Sequence, residues 1–120
     1  MIFDASAALA IIRDEPGADV ATAALPTGAI SAVNWLEVLA SVLRGPEREA
    51  TALARIGLML IPFDGVLALR ASGMLARHRG TLSLGDCARL ATAELRNFPV
   101  HTADRIWATL GLPIEVRLIR

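Results

Sequence analysis

Met1-Ile2-Phe3-Asp4-Ala5-Ser6-Ala7-Ala8 places two apolar residues, then an acid, then small helix-forming residues at the start of the chain. Ile2-Phe3 reads as a short strand apolar on both faces that runs straight into a helix, the order found in parallel α/β sheets. The pattern recurs at Ala29-Ile30-Ser31, Met59-Leu60-Ile61 and Val100-His101-Thr102. Ile114 to Leu118 is a last strand, and the alternation of Glu115 and Arg117 with apolar neighbours assigns it to an edge. Helices are expected between the strands. Ser6 caps one from Ala7 to about Asp14, and Asp19 opens a short one to about Leu25. A long helix follows Ser31 and ends before Gly45-Pro46, where Pro46 enters the first turn of the next with Glu47 and Glu49 near its positive end. Asp64 precedes a helix to about His78, Ser83 caps one from about Gly85 to Arg96, and Asp104 starts one that Gly111 ends. The expected architecture is a single α/β domain over residues 1–120, three layers deep, with helices on both faces of a parallel sheet.

Composition narrows the chemistry. The 120 residues carry 12 basic and 12 acidic side chains, and every basic one is arginine. Without lysine, Schiff-base catalysis, a Walker-type P-loop and a receiver-domain pocket are excluded. A net charge of +0 leaves no global field to attract nucleic acid, so any nucleic acid would be held by a local arginine patch. Hydrophobic residues make up 54%, with a mean hydropathy of +0.51, more than a small monomer needs for its interior. A second chain is therefore expected against some of that surface. The longest stretch without charge, Val20 to Leu36, is broken by Pro26 and Gly28 and does not read as a membrane span. The N-terminus lacks the basic region of a signal peptide, and a lone Cys87 forms no internal disulfide, so a cytoplasmic location is expected.

Active sites of parallel sheets lie beyond the carboxyl ends of the strands. Asp4 directly follows the first strand, and Asp104 follows the Val100 strand after one intervening residue. Asp86 lies in the first turn of a helix whose stripe is Ala88, Leu90, Ala91 and Leu95. Glu37 falls in mid-helix on a stripe with Val33, Leu36, Ala40 and Leu43, where an apolar residue is the structural choice. Taken singly, each Asp also reads as a helix cap and Glu37 as a solvent-facing side chain. Asp14, Glu15, Glu47, Glu49 and Glu115 read as solvated, and Asp19 and Asp64 as caps. Two carboxylates about 4 Å apart repel by about 4 kcal/mol at an effective dielectric near 20, so a set of acids needs a cation. All-oxygen ligands select hard cations, and a partly exposed cluster with positions open to water and phosphate suits Mg²⁺ or Mn²⁺, an ion that serves phosphodiester hydrolysis. Arg89, one turn after Asp86, and Arg105, beside Asp104, are candidates either to neutralise the acids or to grip RNA phosphate. Trp35 and Trp107 read as core or dimer contacts.

Four segments together carry a family resemblance. They are Asp4-Ala5-Ser6-Ala7, Asn34-Trp35-Leu36-Glu37-Val38-Leu39, Leu82-Ser83-Leu84-Gly85-Asp86-Cys87 and Thr102-Ala103-Asp104-Arg105-Ile106-Trp107. In order and spacing they resemble the PIN domain, and more narrowly the VapC toxins of bacterial VapBC toxin–antitoxin modules. The resemblance implies a PIN fold, Mg²⁺-dependent endoribonuclease activity, a homodimer and neutralisation by a VapB antitoxin. It places the family's acidic quartet, as catalytic and metal-binding residues, on Asp4, Glu37, Asp86 and Asp104, and its small hydroxyl residues on Ser6 and Thr102. His101 stands at a strand position that is usually apolar in the family. Two rival readings use the same residues: a PIN-like module that binds RNA or protein without cleaving, and a metal-dependent phosphatase, for which no Gly-rich phosphate cradle is present.

Overall fold

A computed structural model describes residues Met1–Arg120. Five parallel strands, β1 (Ile2–Phe3), β2 (Ala29–Ser31), β3 (Met59–Ile61), β4 (Val100–Thr102) and β5 (Val116–Leu118), lie in the order β3-β2-β1-β4-β5. Between them run α1 (Ala5–Arg13), α2 (Ala18–Ala24), α3 (Ala32–Val42), α4 (Glu47–Leu53), α5 (Gly65–Arg77) and α6 (Leu84–Arg96), with 3-10 turns at Leu25–Thr27 and Arg105–Thr109. The last expected helix is thus a short 3-10 segment, which ends before Gly111 at φ 60°. Strand β5 is an edge, as its alternation predicts, and Glu115 and Arg117 pair across 2.7 Å.

Alternation along β1 and β2 divides the interior. Ile2 and Ala29 face a core built with α5 and α6, while Phe3 and Ile30 face one built with α1 and α3. Because β2 and β3 lie on one side of β1 and β4 and β5 on the other, the chain reverses direction across the sheet at β1. At such a reversal parallel sheets bind ligands beyond the carboxyl ends of the strands, here those of β1 and β4. No helix is long and apolar enough to cross a membrane.

Several local expectations change. Helix α1 starts at Ala5 and is capped by Asp4, not Ser6: Asp4 Oδ1 accepts from the Ala7 amide at 2.8 Å, because Asp4 already sits in extended backbone at the strand end. Gly17, at φ 94°, precedes α2, so Asp19 lies in its first turn and is no cap. Pro46 is the N-cap of α4 instead of its first residue. Glu49 is buried and pairs with Arg13 at 3.0 Å instead of facing water, since α1 and α4 pack together. Leu95 is exposed, and α6 buries Cys87, Ala88, Leu90 and Ala91 together with Arg89.

Candidate active site

The stripe expected to carry Glu37 faces outward. Leu36 and Leu43 are 64% and 85% exposed, and α3 instead buries Asn34, Val38 and Val42 at a four-residue spacing. Of the two placements open to Glu37 the structure has the solvent-facing one: its side chain is 44% exposed and rises from the boundary between the two faces. What holds it is Asn34, one turn earlier. The Asn34 amide Nδ2 donates to Glu37 Oε2 and to the Gly85 carbonyl, both at 3.2 Å. Asn34 is the site residue that the sequence reading did not single out, although a buried amide on an otherwise apolar stripe was the available signal. Its Oδ1 is buried without a partner.

Asp86 lies at the start of α6. Only three residues separate the end of α6 from β4, so the helix runs against the strands and its N-terminus stands at the carboxyl edge. A reciprocal cap fixes the acid: the Ser83 amide donates to Asp86 Oδ2 at 2.8 Å, and the Asp86 amide donates to Ser83 Oγ at 3.1 Å. The other carboxylate oxygen, Oδ1, accepts from Arg89. Arg89 is only 7% exposed, its second terminal nitrogen lies 3.9 Å from Glu37 Oε2, and its guanidinium stacks 4.2 Å over the Trp107 ring. Of the two roles expected of Arg89, its position beside Asp86 and Glu37 is the arrangement that neutralising the acids requires. Trp107 is core, as expected.

The second half of the edge is built on Asp4, 2% exposed at the end of the central strand. Ser6 Oγ donates to Asp4 Oδ1 at 2.7 Å, and Thr102 Oγ1 donates to Oδ2. Each hydroxyl also accepts a backbone amide from the β4 exit, Ser6 from Ala103 and Thr102 from Asp104, both at 3.0 Å. The two hydroxyls therefore clamp the ends of β1 and β4 together around one carboxylate. Asp104 itself is exposed and caps the following 3-10 turn through Ile106, and Arg105 is exposed beside it.

A family model for the PIN domain matches residues 1–111. The chain belongs to the PIN domain family. Among solved structures, this PIN chain is similar to a toxin–antitoxin complex from Klebsiella pneumoniae, at 24% identity and TM-score 0.81 over 99% of this chain and 97% of that one. It is similar to DNA-bound VapBC from Salmonella typhimurium, at 18% identity and TM-score 0.78 over 99% and 97% of the two chains. It also resembles VapC20 of Mycobacterium tuberculosis, a sarcin-ricin loop cleaving toxin, at 18% identity and TM-score 0.74 over 93% and 96%. A sequence comparison with curated proteins gave no match.

The acids of this PIN chain suit a hard divalent cation by donor type, and the orphaned Asn34 Oδ1 adds an oxygen that a cation or its water would satisfy. Their arrangement is looser than a closed cage. No three His, Cys, Asp or Glu side chains stand close enough to ligate one ion. Arg89 supplies the positive charge between Asp86 and Glu37, whereas Asp4 and Asp104 have no basic side chain within 4.0 Å.

Proposed function

We propose that the chain is a metal-dependent endoribonuclease, the toxin of a type II toxin–antitoxin module, and that residues 1–120 act as one PIN domain. The observation that carries this reading is the buried Asp4 carboxylate, fixed by two hydroxyls and an amide at the strand end where the sheet order reverses. A cap needs only the amide. Holding both oxygens of a buried carboxylate in one orientation serves a ligand or a reaction. Asp4, Glu37, Asp86 and Asp104 would hold Mg²⁺ or Mn²⁺, which supplies Lewis-acid stabilisation of a scissile phosphate and an activated water. Ser6 and Thr102 orient Asp4, Asn34 orients Glu37, and the exposed Arg105 contacts RNA phosphate. No covalent intermediate is required.

The surface supports the proposed partners. Leu36, Leu43, Met59, Leu60, Leu69 and Leu84 are large apolar side chains left exposed, which supports a homodimer and a VapB-type antitoxin as further cover. The likeness to toxin–antitoxin complexes supports the same partner. A cytoplasmic location agrees with the buried free thiol of Cys87. A module that binds RNA without cutting it is the second reading, favoured by the absence of three converged ligands. Incubating purified, antitoxin-free protein with total RNA, with and without Mg²⁺, separates the two: discrete Mg²⁺-dependent fragments are expected, and retarded but intact RNA would replace the nuclease by the binding module.

A further inference from the structure

Arg89 is the only basic side chain within 4.0 Å of any of the four acids. Its burial is costly: Nε lies inside the protein with no hydrogen-bond partner, and a guanidinium out of water is tolerated only beside negative charge. The Trp107 face beneath it restricts its motion and adds a cation–π attraction. On the acid side, both oxygens of Asp86 are already engaged, Oδ2 by the Ser83 amide and Oδ1 by Arg89, and the nearer oxygen of Glu37 is shared with Asn34. A cation that takes Asp86 and Glu37 as ligands must therefore share or replace the guanidinium.

Resting on the metal-site reading above, we infer that Arg89 is a built-in competitor of the divalent ion. It neutralises Asp86 and Glu37 in the metal-free protein and so sets the affinity of the acidic edge for metal. It acts through the two carboxylates and is a positioning residue. The physical reason is charge balance: a divalent ion entering beside a fixed unit positive charge is repelled by it, and the carboxylates it needs are already hydrogen-bonded. A side chain of purely structural value would lower stability on removal without strengthening metal binding.

The test is direct Mn²⁺ binding, followed by titration calorimetry and by the loss of the free-ion electron spin resonance signal. It is applied to the intact protein, Arg89→Met, Arg89→Gln, Arg89→Lys and Asp4→Asn. Both uncharged variants are expected to melt lower without metal, to bind Mn²⁺ about tenfold tighter, and to gain more in melting temperature on adding it. Arg89→Lys, which keeps the charge, stays close to the parent affinity. If neither uncharged variant folds, Trp107 emission in a Trp35→Phe background, read on adding Mg²⁺, which does not itself quench, reports on the same event, since metal entry must disturb the stacked guanidinium. Equal or weaker Mn²⁺ binding by the uncharged variants, or no Trp107 response, overturns the inference. When Asp4→Asn loses Mn²⁺ in that same series, the metal site itself stands. Absence of Mn²⁺ binding in the parent and every Arg89 variant overturns the proposed metal site along with it.

Discussion

The carboxylate of Glu37 occupies the space where any other residue at position 85 would carry its Cβ: a carbon added to Gly85 would collide with Glu37 Oε1 and stand 3.2 Å from its Cδ. Gly85 is thus the wall against which a half-exposed, flexible acid is set, and the neighbouring Asn34 amide holds it there at 3.2 Å. A glycine in the first turn of α6 contributes nothing to helix propensity, so its value lies in this close approach.

Gly85→Ala separates the two roles. The obstacle is the tip of a flexible side chain, so Glu37 can swing away at little cost, and alanine favours the helix. The melting temperature is expected to hold or rise, with a stability change within about 1 kcal/mol. RNA cleavage is expected to fall by about tenfold or more, because the acid is misplaced. Thermal melting together with cleavage rates checks this, and an unimpaired rate would remove Glu37 placement from the account.

Asp4→Asn and Asp104→Asn are both expected to abolish cleavage and yet to differ in stability. Asp4 is buried and accepts from Ser6, Ala7 and Thr102; the asparagine amide would point an N–H at a hydroxyl that now donates. Losing charge-assisted bonds there costs about 1–3 kcal/mol. Asp104 is exposed, and asparagine caps the Ile106 amide about as well, so the cost is within about 0.5 kcal/mol. Denaturant unfolding of the two variants reads the difference, and equal losses would contradict the clamp around Asp4.

His101 gives the fold a pH dependence of its own. It lies in β4, stacked on its register partner Phe3 with ring centres 5.8 Å apart, and neither ring nitrogen has a hydrogen-bond partner. Burial, first, and then the positive charges of Arg117 and the N-terminus hold its pKa below 6.5, against weaker opposing pulls from Glu115 and Asp4. The unfolded chain therefore binds the proton more readily. Stability from this residue is complete above about pH 6.5 and is lost as the pH falls through the lowered folded value. Urea unfolding between about pH 5 and 7.5 should show the decline, and His101→Val should flatten it in that window. A parent slope unchanged by the substitution would assign the effect to other groups.

Much of this molecule is written locally. The apolar runs at Ile2, Ala29, Met59 and Val100, each followed by a helix, specify the parallel sheet, because strand and helix signals depend on neighbours a few residues away. The four acids and the lack of lysine could likewise be read directly, and Asp4, Asp86 and Asp104 do stand at element ends where caps and site residues coincide. Tertiary structure decided what those residues touch. Strand order β3-β2-β1-β4-β5 brings Thr102 onto Asp4 from 98 residues away, and no periodicity encodes that. The fold turned Arg89 inward onto Trp107 of the Arg105–Thr109 turn, although its sequence neighbourhood reads equally well as surface. Helix α3 turned Leu36 and Leu43 out and Asn34 in, because the apolar residues wrap nearly the whole helix and only the neighbouring Gly85 carbonyl and the core beside Val38 select a buried side. Local free energies of about 1 kcal/mol per cap or propensity fix where elements begin. Which polar groups are buried together is set by desolvation, and that is known only once the chain has closed around them.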